Sequence, residues 1–154
     1  MTHDARPKKV LFVCVENCNR SQMAEAFARI FGVVQIEAYS AGCHPAECVH
    51  PKAIAAMKEL GYDMRQHFSK RLSAFPDIDF DVAVTMGCKD QRLILKAQHR
   101  EDWNIPCPKA MPPEQFQIVQ YEIKEKVRDL LARLSIMVDG KPPNTAINRG
   151  VDCV

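Results

Sequence analysis

A chain of 154 residues, 47% hydrophobic and 26% charged, has the composition of one globular domain and is neither disordered nor fibrous. Its 21 basic and 19 acidic side chains leave a formal charge of +2, too small for a sequence-independent hold on nucleic acid or anionic lipid, so any anion site must be local. No apolar stretch near the start approaches the roughly 20 residues that span a bilayer, and polar residues 1–9 lack the apolar core of a secretory signal; a cytoplasmic protein with no nucleic-acid or membrane partner is expected.

The apolar segments alternate in type along the chain, which predicts one α/β layer structure. Residues 9–15 form a short, nearly continuous apolar run rich in β-branched side chains, the pattern of a strand buried on both faces of a parallel sheet. Residues 21–31 carry apolar side chains at 23, 26, 27, 30 and 31, a helical spacing, with Ser21 near the cap and Gly32 beyond the end. Residues 34–40 read as a second strand and 51–60 as a second helix, opened by Pro51 and closed by Gly61. A third strand is predicted over 80–86, a helical segment over 89–97 and a short fourth strand over 99–103. A long amphipathic helix follows over 113–137, with apolar positions 116, 119, 123, 127, 130, 131 and 134. The expected fold is α/β, three layers with a four-stranded parallel sheet flanked by helices. The domain is expected over 9–138, between a flexible start (1–8) and a loose tail (139–154) holding Pro142, Pro143 and Gly150. In such sheets ligands sit at the carboxyl ends of the strands, and Cys14 and Cys88 fall at or just past two such ends.

Seven cysteines make sulfur chemistry the first lead, and an odd number cannot all pair within one chain. In a reducing compartment they are expected as thiols for catalysis, redox exchange or metal, or as small buried hydrophobes. The junction Cys14-Val-Glu-Asn-Cys-Asn-Arg20-Ser21 sets five residues between a cysteine and an arginine, between a buried strand and a helix start. Backbone N–H groups of such a loop can wrap a tetrahedral oxyanion, aided by the helix dipole, while the guanidinium offers a planar fork for two of its oxygens. Val15, Glu16, Asn17, Cys18, Asn19, Arg20 and Ser21 are therefore the candidate oxyanion site and Cys14 the candidate nucleophile. The same field favours a thiolate, since cysteines beside cations or helix N-termini fall from about 8.5 to roughly 3.5–7.5 in pKa. Asn17 is placed to hold the loop by side-chain to backbone bonds, and Ser21 to donate to the Cys14 sulfur.

Val-Leu-Phe-Val-Cys-Val-Glu-Asn-x-x-Arg-Ser-Gln-Met-Ala-Glu-Ala-Phe (10–27), Ser-Ala-Gly (40–42), His-Pro-x-Ala (50–53) and Val-Thr-Met-Gly-Cys (84–88) resemble the thioredoxin-coupled arsenate reductases that share the low-molecular-weight protein tyrosine phosphatase fold. The similarity covers most of residues 8–136. It implies Cys14 as nucleophile, Arg20 and the loop amides as binders of an arsenate or phosphate oxyanion, and Cys88 as a redox thiol that the phosphatase branch does not need. It implies thioredoxin or a similar dithiol as reductant, and no organic cofactor.

Both branches begin with thiol attack on arsenic or phosphorus and then diverge. A phosphatase must protonate its leaving group, which relatives do with the aspartate of an Asp-Pro pair; the matching stretch here is Trp103-Asn-Ile-Pro-Cys107-Pro108. A neutral thiol is a poor general acid, and losing that catalysis costs about 10²–10⁴ in rate, so an efficient phosphatase is not expected, with Asp102 the only stand-in considered. A reductase needs a second thiolate to attack the Cys14 sulfur, leaving a Cys14–Cys88 disulfide. Relatives carry a further cysteine soon after that one, whereas none lies between 89 and 106 here, and Cys107 is the candidate relocated thiol. The rival readings are a low-molecular-weight phosphatase acting on phosphotyrosine or small phosphate esters, and a non-catalytic oxyanion-binding or redox-sensing module.

Cys18 is read as a small loop residue, with a protective bond to Cys14 as the lesser alternative. Cys43-His44 and Cys48-x-His50 match no standard zinc spacing, and no metal is expected. Met23, Met57 and Met86 are expected on core faces, Trp103 and Tyr121 in packing, and Cys153 in the tail as a bystander.

Overall fold

A computed structural model describes residues 6–75, 78–87 and 96–139, with side chains through Leu134. The predicted helical segment over 89–97 falls mostly outside this range, as do Cys88, Cys153 and the tail; its last residue, Ala97, is strand.

The elements run β1 (Lys8–Cys14), α1 (Arg20–Gly32), a 3-10 turn (Val33–Gln35), β2 (Ile36–Gly42), α2 (Pro51–Lys58), a second 3-10 turn (Leu72–Ala74), β3 (Phe80–Met86), β4 (Ala97–Asp102) and α3 (Pro113–Asp139). The four strands form one sheet in the order β2-β1-β3-β4, every pair parallel. This is the α/β architecture expected from the alternation of apolar segments.

Continuous apolar sequence makes β1 central, because a strand with neighbours on both sides and layers on both faces has nowhere to place a polar side chain. Val10, Leu11, Phe12 and Val13 are all fully buried. Alternation divides them: Val10, Phe12 and Cys14 join Val82, Val84 and Met86 in a large cluster, while Leu11, Val13 and Ala83 belong to a smaller one completed by Tyr39, Leu72 and Phe75. The large cluster takes in Met23 and Phe27 of α1, Met57 of α2, and Phe116, Val119, Ile123, Val127, Leu130 and Leu134 of α3. Each large side chain so buried contributes ~1.5–3 kcal/mol. Leu131 packs at the margin, so the apolar stripe read from α3 is the stripe that is covered. Tyr121 departs from expectation and is half exposed, while Trp103 is buried.

Two boundaries differ from the sequence reading. Val33 and Val34 form a surface turn and not strand, 68% and 81% exposed. Val33 takes φ 49°, because the chain must reverse sharply to bring Ile36 into register with Lys8. The helix α1 opens at Arg20 with Asn19 as its N-cap, and no side chain caps it; Ser21, expected near that role, is turned elsewhere.

The outer strand is pinned to α3 by Glu101. Arg133 pairs with both of its carboxylate oxygens, and Trp103 Nε1 donates to Oε1 at 2.9 Å. The Arg133 bond, ahead of the Trp103 bond and the Arg133 charge, holds the carboxyl at about 2 against an ordinary 4.5. A depressed carboxyl stabilises the fold above its unfolded pKa and loses that contribution as pH falls toward its folded one. The contribution is therefore full above about pH 5 and gone near pH 2, its size reduced by solvent screening of the partly exposed pair. Arg133→Met is expected to lower stability at neutral pH and to flatten its fall over that window, as measured by urea unfolding at a series of pH values.

Candidate functional site: an oxyanion loop with three thiols

Cys14 ends β1, level with Gly42 of β2 and Met86 of β3. The connection from β1 leads to β2 on one side, with β3 on the other, so the strand order reverses here and opens a crevice at the carboxyl edge. The loop 15–19 crosses that edge before α1 begins.

The loop's carbonyls are turned away from the crevice. Those of Cys14, Val15, Glu16 and Cys18 accept from the N–H groups of Cys43 (3.2 Å), His44 (2.7 Å), Ala46 (2.9 Å) and His50 (3.0 Å). The Asn17 carbonyl accepts from Gln22 Nε2 at 3.1 Å, and that of Asn19 begins the α1 ladder at Met23 N. In a trans peptide the C=O and the next N–H point in opposite directions, so five outward carbonyls from 14 to 18 turn the N–H groups of 15 to 19 inward. With no side chain capping α1, the orphan donors of its first turn are also left for an anion.

Asn17 is the pivot, at φ 51° and fully buried. Its N–H reaches the Cys14 sulfur at 3.2 Å, its Nδ2 donates to Ser21 Oγ at 2.7 Å, and its Oδ1 accepts from Lys70 N at 3.0 Å and Gln22 Nε2 at 3.0 Å. Because Asn17 donates to Ser21 Oγ, the hydroxyl proton is free to go to the Cys14 sulfur 3.0 Å away. Two donors thus converge on the sulfur, the arrangement a nucleophilic thiolate requires.

Behind the loop stands a scaffold that the sequence reading did not single out. Gln22 Nε2 also donates to the Phe68 carbonyl, so its Oε1 is the acceptor facing His67 Nδ1 at 2.9 Å. That assigns the proton to Nδ1 and leaves Nε2 to accept from the Tyr62 hydroxyl at 2.8 Å. Burial pushes His67 below its ordinary value, in keeping with a neutral ring. Ser69 Oγ donates to the Glu16 carbonyl, and Lys70 Nζ to the Phe68 carbonyl. Gly42 completes the backing: a Cβ there would lie 2.8 Å from the Val15 oxygen and 2.9 Å from the Asn17 nitrogen. Gln22 shares a polar helix face with Glu25 and Arg29, which reads as an ordinary charged face, and residues 67–70 show no period.

Arg20 is buried and its Nη1 donates to the Ile105 carbonyl at 2.9 Å, fastening the segment after β4 to the loop. Lys109 Nζ pairs with Glu16 Oε1 at 3.1 Å, and Lys52 Nζ donates to the Lys109 and Met111 carbonyls. The result is a cavity of about 250 Å³ lined by Cys14, Val15, Glu16, Cys18, Asn19, Arg20, Cys107 and Lys109. Cys14, Cys18 and Cys107 are free thiols. Burial pushes Cys18 up to about 12, reinforced by its 3.4 Å bond to Glu16 and by the charges of Glu16, Cys14 and Cys107. Glu16 is held below the usual carboxylate range by the Lys109 bond first and the Cys18 bond second.

Most of the residues singled out in the sequence therefore meet in one crevice, while Asn17 and Ser21 serve from behind it. Cys88 lies outside the described residues. Asp102 is elsewhere, accepting from Thr85 Oγ1 at 2.7 Å and lining a different cavity. Cys43 is disulfide-bonded and His50 Nδ1 caps α2 through Lys52 N. Among the described residues no group of three or more metal-ligating side chains comes together, and no helix is long and apolar enough to cross a membrane.

Residues 9–139 match the model of the low molecular weight phosphotyrosine protein phosphatase family. The chain belongs to that family. It is 37% identical over 131 residues to a glutaredoxin arsenate reductase of Synechocystis, covering 83% of this chain and 99% of that protein. It is 35% identical over 132 residues to an arsenate reductase of Staphylococcus aureus, covering 82% and 98%. Among solved structures, an arsenate reductase in a phosphate-binding state superposes with a TM-score of 0.75 at 36% identity, over 82% of this chain and 98% of the other. A thioredoxin-dependent arsenate reductase of Corynebacterium glutamicum gives 0.71 at 28% identity, over 86% and 64%.

Gly87, just past β3, tests the family loop in this chain. It has φ +87°, and a Cβ there would stand 2.8 Å from Arg20 Nη1. Gly87→Ala is expected to displace the guanidinium and weaken inorganic phosphate binding about tenfold to a hundredfold, the worth of a charge-assisted bond. Calorimetry on the reduced protein reads this; unchanged affinity would remove Arg20 from the site.

Proposed function

We propose that this protein reduces arsenate to arsenite through a cysteine relay, recycled by thioredoxin or a similar dithiol. The observation that carries the reading is the chemistry of the cavity wall. Among the described residues that line it, the one carboxylate, Glu16, is held ionised by Lys109, whereas ester hydrolysis needs a protonated acid beside the leaving oxygen. At the mouth, where the phosphatase branch places its acid, stands the thiol of Cys107. No aromatic side chain among the described residues lines the cavity to grip a phosphotyrosine ring. The arsenate reductase relatives lend the reading its substrate.

In this mechanism the loop amides and Arg20 hold arsenate while the Cys14 sulfur attacks arsenic and a hydroxide leaves. Cys88, at the next strand end, then attacks the Cys14 sulfur. The S–As bonding pair stays on arsenic, which passes from pentavalent to trivalent and departs, and a Cys14–Cys88 disulfide remains. Cys107 attacks the Cys88 sulfur, releasing the Cys14 thiolate and carrying the disulfide outward on an exposed, Pro-flanked segment to the external dithiol.

The test is arsenate-dependent NADPH oxidation with thioredoxin and thioredoxin reductase present. Cys14→Ser and Cys88→Ser are expected to be inactive, and Cys107→Ser to stop after one turnover. Mass mapping of the oxidised protein should then find Cys88 joined to Cys107. Cys88 joined to any other cysteine in its place would overturn the role of Cys107. Restoring an acid by Cys107→Asp is expected to raise aryl phosphate hydrolysis by about 10²–10⁴; a wild type already efficient on aryl phosphates would favour the phosphatase reading.

A further inference from the structure

The relay uses Cys14, Cys88 and Cys107 and leaves two features of the cavity without a task. Cys18 is a buried thiol on its wall, which it shares with Cys107. Asn19, 1% exposed and lining the same cavity, has a buried Oδ1 with no hydrogen-bond partner among the described residues. An unsatisfied buried acceptor costs about 1–3 kcal/mol, and here it calls for a ligand that donates. An ionised oxygen cannot donate; a neutral hydroxyl can.

We propose that Cys18 and Cys107 form a two-thiol site for trivalent arsenic, in which arsenous acid exchanges two hydroxyls for the two sulfurs and its third hydroxyl donates to Asn19 Oδ1. The step is a condensation: As(OH)₃ and two thiols give (RS)₂As–OH and two waters. Arsenic stays trivalent, and each thiol proton leaves with a hydroxyl as water. No thiolate is required, so the protonated state of Cys18 is no obstacle. This inference deepens the arsenate-reducing reading and takes its arsenic species from it. It makes the reaction product a ligand of the enzyme, held where arsenate must enter, so that arsenite inhibits until thiol exchange removes it.

Binding is measured apart from turnover. Reduced full-length protein is incubated with arsenite, pulsed with N-ethylmaleimide and mapped by peptide mass. Cys107, the exposed thiol of the pair, is expected to be protected in the wild type and in Cys14→Ser alike and to lose that protection in Cys18→Ala, so that the two sulfurs act jointly, while Cys48 alkylates as without arsenite. In calorimetric titrations Cys18→Ala and Cys107→Ser should each weaken arsenite binding about 10²-fold or more, because the second sulfur binds intramolecularly once the first is attached. Asn19→Ala should weaken it a few-fold, to about tenfold, and thermal unfolding reports that each variant keeps its fold. Protection confined to Cys14, or arsenite affinity indifferent to Cys107→Ser, would overturn the proposal. Neither result depends on arsenate turnover. A failed coupled assay alongside joint protection would overturn the reductase reading and leave the arsenite site standing.

Discussion

The constraint on which everything else depends is the polarity of a handful of peptide units. An anion cradle made of backbone needs successive N–H groups to converge, and each trans peptide can send its N–H inward only if its carbonyl goes outward. Those carbonyls would be costly if buried unpaired, so the fold meets them with N–H groups from 43 to 50 and with the side chain of Gln22. The segment after β2 is thus as much a part of the site as the loop itself. It lies close because Gly42 lets the two backbones approach.

What the sequence made legible was what depends on neighbours in the chain. The apolar run of β1, the stripe of α3 and the strand–loop–helix junction at Cys14 all follow from spacing alone. A cysteine at a strand end and an arginine at a helix start come together because the loop between them is short. Less legible was what depends on distant contacts. His67, Ser69 and Lys70 sit in an aperiodic stretch, and their part in the site comes from folding back on Gln22, Glu16 and Asn17 respectively, some 45 to 53 positions away. Lys109, 93 positions from Glu16, was likewise out of reach. Ser21 shows the converse: a helix-start serine predicts a cap, yet its hydroxyl is better used on sulfur, and α1 keeps its first-turn donors uncapped.

The environments of the cavity's side chains also separate their chemistry. A cradle that attracts anions attracts thiolates indiscriminately, and Cys18 lies within it. Glu16 counters this locally: it accepts a hydrogen bond from the Cys18 thiol and sets a negative charge beside it. Lys109 in turn keeps Glu16 ionised, so that the loop gains a fixed dipole at its rim while adding no net charge. Burial first, and the Glu16 carboxylate second, thereby keep Cys18 protonated in the same crevice as the nucleophile.

That division bears on why a thiol at 107 and an acid at 107 are alternatives. An acid there completes ester hydrolysis by handing a proton to an oxygen that leaves with both electrons of its bond to phosphorus. Arsenate reduction needs, once hydroxide has left arsenic, the opposite flow, electrons delivered to the central atom from sulfur, and that step turns on a second thiolate and not on an acid at the mouth. With Glu16 committed to Lys109, no carboxyl among the described residues lining this cavity is left to protonate a leaving alkoxide, whereas sulfur is present three times on its wall. In the proposed reading these surroundings direct the loop toward redox exchange.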